Sequence, residues 1–362
     1  MPRLPLPSVD RVPGGTAFAG LSRRVRTLIV AGVLFLVLFV LALLMPVPYV
    51  ILTPGPTYNT LGRAYGSSVI TIDGRSAKAT TGHLNLTTVS VTTQSVSAFQ
   101  AFVGWLAHDQ VVVPRSAVYP PNQTTKQTNE QNIQDFIQAQ DSATNAALCQ
   151  LHYPQGVSVV QTVKGEGSAG KLQPHDRFVS VAGRPTTTVS QLTKVLATQT
   201  PKTTVPVVVL RSGKDVTEHI TLGAPNKGKQ GASLGVGLET GCFAPFTVDL
   251  GLANRIGGPS AGLMFALGIM DKVGDTDLTK GMFIAGTGTI DSSGGVGAIG
   301  GIALKMIAAR DKGASVFLAP AGNCSDVRGA IPSGLDVVKV STLKGAVHDL
   351  LALQQHKSVP HC

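Results

Sequence analysis

From Leu28 to Met45 the chain reads LIVAGVLFLVLFVLALLM, 18 residues without a charge. As a helix rising 1.5 Å per residue this run extends about 27 Å, close to the hydrocarbon thickness of a bilayer. Arg23, Arg24 and Arg26 precede it, and the next Lys or Arg is Arg63. The positive-inside rule therefore puts the N-terminus in the cytoplasm and everything after Pro46 outside. A cleaved signal peptide is the competing reading. It fits less well, because the leading segment is long, the apolar run exceeds a usual h-region and no A-x-A-like site follows.

The 362 residues suffice for two or three domains. The formal charge of +10 would suit an anionic partner, but +4 of it falls before residue 27 and the rest is spread without a block. No basic stripe with interleaved aromatics occurs, so nucleic acid is not an expected partner. Residues 1–26, rich in Pro, Gly and Arg, read as a flexible cytoplasmic tail, and 27–45 as the transmembrane helix. Val69 to Thr93 alternates apolar and polar residues as strands do. Ala98 to His108 reads as a short helix carrying the only tryptophan, Trp105, and Glu130 to His152 has apolar residues at helical spacing. Residues 46–155 are thus expected to form an α+β support region outside the membrane, without catalytic residues.

Gly156 to Leu222 reads as strand, Gly-rich turn, strand, helix, strand, strand. GVSVVQTV and KLQPHDRFVSVAGRPTTTVSQLTKVLA resemble a PDZ domain, expected at 156–225. That resemblance implies capture of an extended peptide along a sheet edge, although the first-strand carboxylate loop is degenerate here. A PDZ fold that only braces its neighbours is the alternative. Gly165 to Leu172, GEGSAGKL, mimics a phosphate-binding loop, but Leu172 stands where a Ser or Thr should reach Mg²⁺. Neither a cofactor nor a metal is expected. Asn226 to Gly231 reads as a linker.

Beyond it, Gly257-Gly258-Pro259-Ser260-Ala261-Gly262 forms a glycine-hinged turn that delivers one serine to the apolar run Leu263 to Met270. A serine hydroxyl is a weak nucleophile without a base beside it. Lys305, among Ile302, Leu304, Met306 and Ile307, suits that role, because a desolvated lysine has a lowered pKa. It can take the serine proton and return it to a leaving amine. Backbone N–H groups of Gly257, Gly258 and Ala261 would face a developing oxyanion. Taken singly, Ser260 also fits a plain helix N-cap, and Lys305 a lysine snorkelling from an amphipathic helix.

Together the two segments resemble the proteolytic domain of the Lon family, over roughly Ser233 to Leu353. GPSAG at Gly258 to Gly262, GTGTID at Gly286 to Asp291 and GGIALK at Gly300 to Lys305 occur in the family's order. The resemblance implies a Ser260–Lys305 dyad, with Thr287 supporting the lysine by a hydrogen bond. The acidic residue that often precedes GPSAG in the family is Gly257 here. Pro48, Pro54, Gly55 and Pro56 after the anchor resemble the connection in the membrane-bound YlbL-type branch. The expected fold is therefore multidomain α+β: a transmembrane helix, a mixed region, a PDZ domain and a Lon-like domain at 231–354.

Such a chain would be an ATP-independent serine endopeptidase acting on membrane-tethered or envelope proteins, and Lon domains commonly form homo-oligomeric rings. Of Cys149, Cys242, Cys324 and Cys362, the pair Cys242 and Cys324 falls within the expected catalytic domain and is the disulfide that location suggests, with buried free thiols as the alternative. Two rivals remain. Gly258 to Gly262 also fits G-x-S-x-G, with Asp326 or Asp336 and then His348 completing a Ser-His-Asp hydrolase. The other is a non-catalytic envelope scaffold built on the PDZ domain.

Overall fold

The computed structural model describes residues 22–362 except 212, 226, 227, 229, 253 and 254. The tail up to residue 21, Asn226, Lys227 and Lys229 of the expected linker, and Asn254 of the nucleophile loop lie outside the described residues. The chain divides into two compact units, residues up to Ile51 with Thr92–Arg115, and Leu52–Val91 with Ser116–Cys362.

In the first unit, α1 (Arg23–Leu44) begins at Ser22, whose hydroxyl accepts from the N–H of Val25. It ends at Met45, because the proline that follows disfavours a helical residue before it. No residue of α1 is buried, and its length and apolarity make it a candidate membrane span. Pro46–Val47 then pairs antiparallel with Val96–Ser97. That ladder leads into α2 (Ala98–Leu106), which Ser97 and Gln100 start as a reciprocal capping box.

The second unit is built on two large sheets, with three two-stranded ladders beside them among the described residues. In chain order its main elements are β1 (Tyr49–Asn59, entering this unit at Leu52), β2 (His83–Val91), α3 (Thr125–Gln150), β3 (Gln155–Thr162), β4 (Arg177–Val181), α4 (Val189–Ala197), β5 (Thr204–Arg211), β6 (Lys214–Thr221) and β7 (Val236–Cys242). They continue with α5 (Gly262–Val273), β8 (Phe283–Gly286), α6 (Ile302–Asp311), β9 (Val316–Pro320), β10 (Asp336–Val340) and α7 (Leu343–Gln354).

The larger sheet runs β10-β9-β8-β2-β1, parallel throughout except for the antiparallel β1. Both faces are covered, as parallel sheets require, and the period-two alternation of side chains shows how. Ile284, Leu318 and Val338 share a core with α3, α5 and α7, while Ala285, Phe317, Ala319 and Val337 share another with Ile302, Met306 and Ala309 of α6. The smaller sheet runs β6-β5-β4-β3-β7 and packs with α4 around Phe178, Val207, Leu192 and Leu234, a PDZ-like module with its own core.

Two boundaries differ from the sequence expectation. The support region expected at 46–155 contributes β1, β2 and α3 to the larger core, so the proteolytic fold does not begin at residue 231. Val236–Cys242, expected in the catalytic domain, pairs with β3 as an edge strand of the PDZ-like sheet. Strand alternation is legible locally, whereas the partner of a parallel strand lies a crossover or a whole inserted module away.

The disulfide expected between Cys242 and Cys324 is corrected too. Cys242, at the end of β7, bonds Cys149 on α3, and Cys324 bonds Cys362. Cys242 is already held there by its N–H, which donates to Asn145 Oδ1 on α3. Near Cys362 the C-terminal segment lies along β10, with Lys339 N–H donating to the carbonyl of Pro360.

The phosphate-loop mimic is a packed turn. Ser168 is fully buried and donates to the carbonyl of Gly235, and Lys171 donates to that of His219.

Candidate active site

The glycines of the nucleophile turn serve close approach. Gly258 has φ +85°, a conformation costly for other residues, and turns the chain into the single 3₁₀ turn Pro259–Ala261. Gly262 opens α5, and a Cβ there would come within 2.7 Å of Ile290 Cγ2. Tight packing at this point seats α5, buried on every side except at Lys272, in the core. Ser260 is fixed through its own backbone. Its carbonyl accepts from Gly288 N–H at 2.9 Å and from Thr287 Oγ1 at 3.0 Å.

Lys305 comes from the second turn of α6 and is 3 % exposed. Its Nζ lies 2.7 Å from Ser260 Oγ and 3.0 Å from Thr287 Oγ1. The donor order around it follows from Thr287. That hydroxyl proton is engaged with the Ser260 carbonyl, so the Thr287 oxygen can only accept, and a Lys305 N–H must donate to it. In the neutral amine a lone pair is then available for the Ser260 O–H. Burial lowers the Lys305 pKa from 10.5 to about 8, leaving about a tenth of the amine neutral at pH 7.

The folded pKa lies below the unfolded one, so the folded state binds the proton less well and stability rises with pH between about 8 and 10.5. Below that window, charge burial costs up to about 3 kcal/mol. Lys305→Met is therefore expected to be more stable than wild type at pH 7 by up to that amount, with the gain disappearing above pH 10.5. Chemical denaturation at pH 7, 9 and 11 checks it.

Thr287 is fully buried. Thr287→Val keeps the shape but removes both hydrogen bonds, and is expected to lower kcat about 10- to 100-fold with little change in KM. Thr287→Ser should restore most of the rate; steady-state kinetics of the pair checks this.

Ser260 and Lys305 open onto a cavity of about 660 Å³, lined also by Pro56, Thr88, Val89, Arg255 and Ile299. Thr88 and Val89 lie on β2 past Leu86, the last residue paired with β8. Sequence reasoning missed these residues, because nothing near the GPSAG or GGIALK segments points to a strand some 170 residues upstream.

The oxyanion expectation changes at one position. Gly258 N–H donates to the carbonyl of Asn132 on α3 at 2.8 Å, so it does not face the cavity. Gly257 lines the cavity, and a Cβ on it would lie 3.0 Å from Asn132 Cβ, a close approach that favours glycine there. Ala261 is buried at the end of the turn.

The Ser-His-Asp arrangement does not assemble. His348 is largely exposed on α7 and contacts Asp349, Asp336 contacts His361, and Asp326 accepts from Asn323. None of them lines the Ser260 cavity.

Residues 253–353 match the family model of the Lon protease (S16) C-terminal proteolytic domain. Solved structures similar to the chain include the PDZ domain of an SdrC-like protein from Listeria innocua. It is 19 % identical at TM-score 0.22, over 23 % of this chain and 93 % of that one. The corresponding PDZ domain from Listeria monocytogenes is 19 % identical at TM-score 0.21, over 23 % and 86 %. A solution structure from Geobacillus thermodenitrificans is 25 % identical at TM-score 0.21, over 23 % and 94 %.

Proposed function

Taking as premise that the chain is a serine peptidase with a Lon (S16) proteolytic domain and a PDZ domain, we propose that it is a membrane-anchored endopeptidase using Ser260 and Lys305 as a dyad. The observation that carries this reading is the 2.7 Å approach of Lys305 Nζ to Ser260 Oγ in a buried setting that lowers the lysine pKa.

Ser260 Oγ attacks the carbonyl carbon of the scissile bond while its proton passes to neutral Lys305. As the C–N bond breaks, the same proton goes to the leaving amine. Water then attacks the acyl-enzyme, giving its proton to Lys305 and thence to Ser260 Oγ as the acid product leaves. Thr287 holds the amine in register. The N–H groups of Gly257 and Ala261 are the candidates for the oxyanion, and Gly258 joins them only if its bond to Asn132 opens.

An extended substrate segment would lie along β2 beyond Leu86, beside Ser260. The PDZ-like module supplies a second extended site. β7 is an edge strand, and the turn before it is tied to the end of α4 by Ala232 N–H and the Leu196 carbonyl. A peptide adding to that edge would recruit or gate substrate.

Two disulfides suit an oxidising compartment, and with the arginines before α1 they support a reading in which the catalytic unit lies outside the cytoplasm. Substrates would then be envelope or membrane-tethered proteins with flexible segments, cleaved without ATP.

The test is cleavage of an unfolded protein by the purified full-length chain in lipid nanodiscs without nucleotide, comparing wild type, Ser260→Ala and Lys305→Ala. Cleavage by wild type alone is expected. Activity retained by Lys305→Ala would sink the dyad, and equal inactivity of all three alongside intact peptide binding would favour the scaffold reading.

A further inference from the structure

We propose that α2 is a second membrane-contacting element, a short helix whose apolar stripe enters the lipid surface beside α1. Phe99, Phe102, Val103 and Leu106 stand at the i, i+3, i+4, i+7 spacing of one helix face, and all four are exposed. Such a stripe ordinarily faces a core. Here it is the opposite side of the helix that packs inward, with Gly104 buried against Gln110, Val112 and Ile51 of the same unit. Trp105, flanking the stripe, is 72 % exposed. No residue of α2 is charged.

The occupant of this face follows from continuity with α1. Ala98 N–H donates to the carbonyl of Met45, so α2 starts where α1 ends. The ring of Phe99 meets Phe39 edge-on at 5.8 Å between centroids. Phe39 precedes the end of α1 by five residues, about 7 to 8 Å along the helix axis. A helix in contact with α1 at that depth lies at the level of headgroups and upper acyl chains, the usual depth of an interfacial helix. Trp at that level, with its apolar body and polar N–H, is the side chain enriched there. The surface is thus continuous with the lipid-facing side of α1, and its partner is the bilayer carrying the anchor.

This inference rests on α1 spanning the bilayer, and its test separates the two. Trp105 is the chain's only tryptophan, so intrinsic fluorescence of the full-length protein in phosphatidylcholine proteoliposomes reads α2 alone. Lipids brominated near the headgroup end of the acyl chain are expected to quench Trp105 at least twofold, more than lipids brominated near the chain end. Aqueous iodide should have little effect. Phe102→Ser with Leu106→Ser is expected to weaken the bromolipid quenching and raise iodide quenching while leaving proteolysis unchanged.

In a Trp105→Phe background, Phe35→Trp reports α1 by quenching from deep bromines. Quenching of that α1 reporter, with Trp105 of the wild type accessible to iodide and insensitive to bromine, would overturn the proposal while leaving the anchor intact. Insensitivity of both would overturn both. Emission of Trp105 that shifts with protein-to-lipid ratio, without bromine quenching, would assign the stripe to a second copy of the chain and also overturn the proposal.

Discussion

With Lys305 replaced by alanine, kcat for peptide-bond cleavage is expected to fall about ten-thousandfold or more, and Ser260→Ala with the double variant no further than either single change. Residues that act as one unit lose their effect together, because a nucleophile without its base and a base without its nucleophile are equally idle. The proposed dyad, with its 2.7 Å contact, would be such a unit.

The pH profile gives the sharper signature. Only the neutral amine can accept the serine proton, and burial alone holds the Lys305 pKa at about 8. Cleavage should therefore rise about tenfold between pH 7 and 9 and level off above. A histidine-based enzyme would instead level off near pH 7. Lys305→Arg, which keeps a cation but cannot be neutralised, is expected to be as inactive as alanine. Initial rates at saturating substrate, measured across pH 6 to 10 on a peptide that does not titrate in that range, decide between the two profiles.

The residues of the candidate site were more legible in the sequence than the architecture around them. Ser260, Lys305 and Thr287 sit in short glycine-rich segments whose local composition dictates turns and helix starts, and the structure brings the three side chains together. The PDZ-like strands were visible for a similar reason, since alternation and Gly/Pro turns are local signals.

What could not be read was which distant strands pair. β2 showed its alternation, but nothing in LNLTTVSV says that it lies beside β8 and walls the cavity. The Val236–Cys242 strand was lost because GVGLETGC is glycine-rich and short of β-branched residues, and it pairs with β3 across most of the module. Asn132 had no signal at all. It acts through a backbone carbonyl, which every residue possesses, and its importance comes only from where α3 places it.

That placement makes the Cys149–Cys242 bond the most consequential link outside the proposed dyad. Replacing both cysteines by serine is expected to lower stability by about 2 to 5 kcal/mol, since the bond closes a loop of 93 residues. Breaking Cys324–Cys362, which spans 38, should cost somewhat less. Urea denaturation of the two double variants tests the order.

The activity arm follows from α3. At one end it holds β7 through Cys149 and Asn145, and at the other Asn132 holds Gly258 N–H. Asn132 and Cys149 are 17 positions apart, about 26 Å along one helix. Phe136 of α3 stacks edge-on against Phe265 of α5 at 5.7 Å, so the helix cannot shift without disturbing the nucleophile's own support. Loosening its β7 end is therefore expected to slow cleavage as well as lower stability, whereas loss of Cys324–Cys362, which touches neither Asn132 nor β7, should leave the rate near wild type under conditions where both variants are folded. Equal rates in the two variants would show that the nucleophile turn is indifferent to how β7 is held.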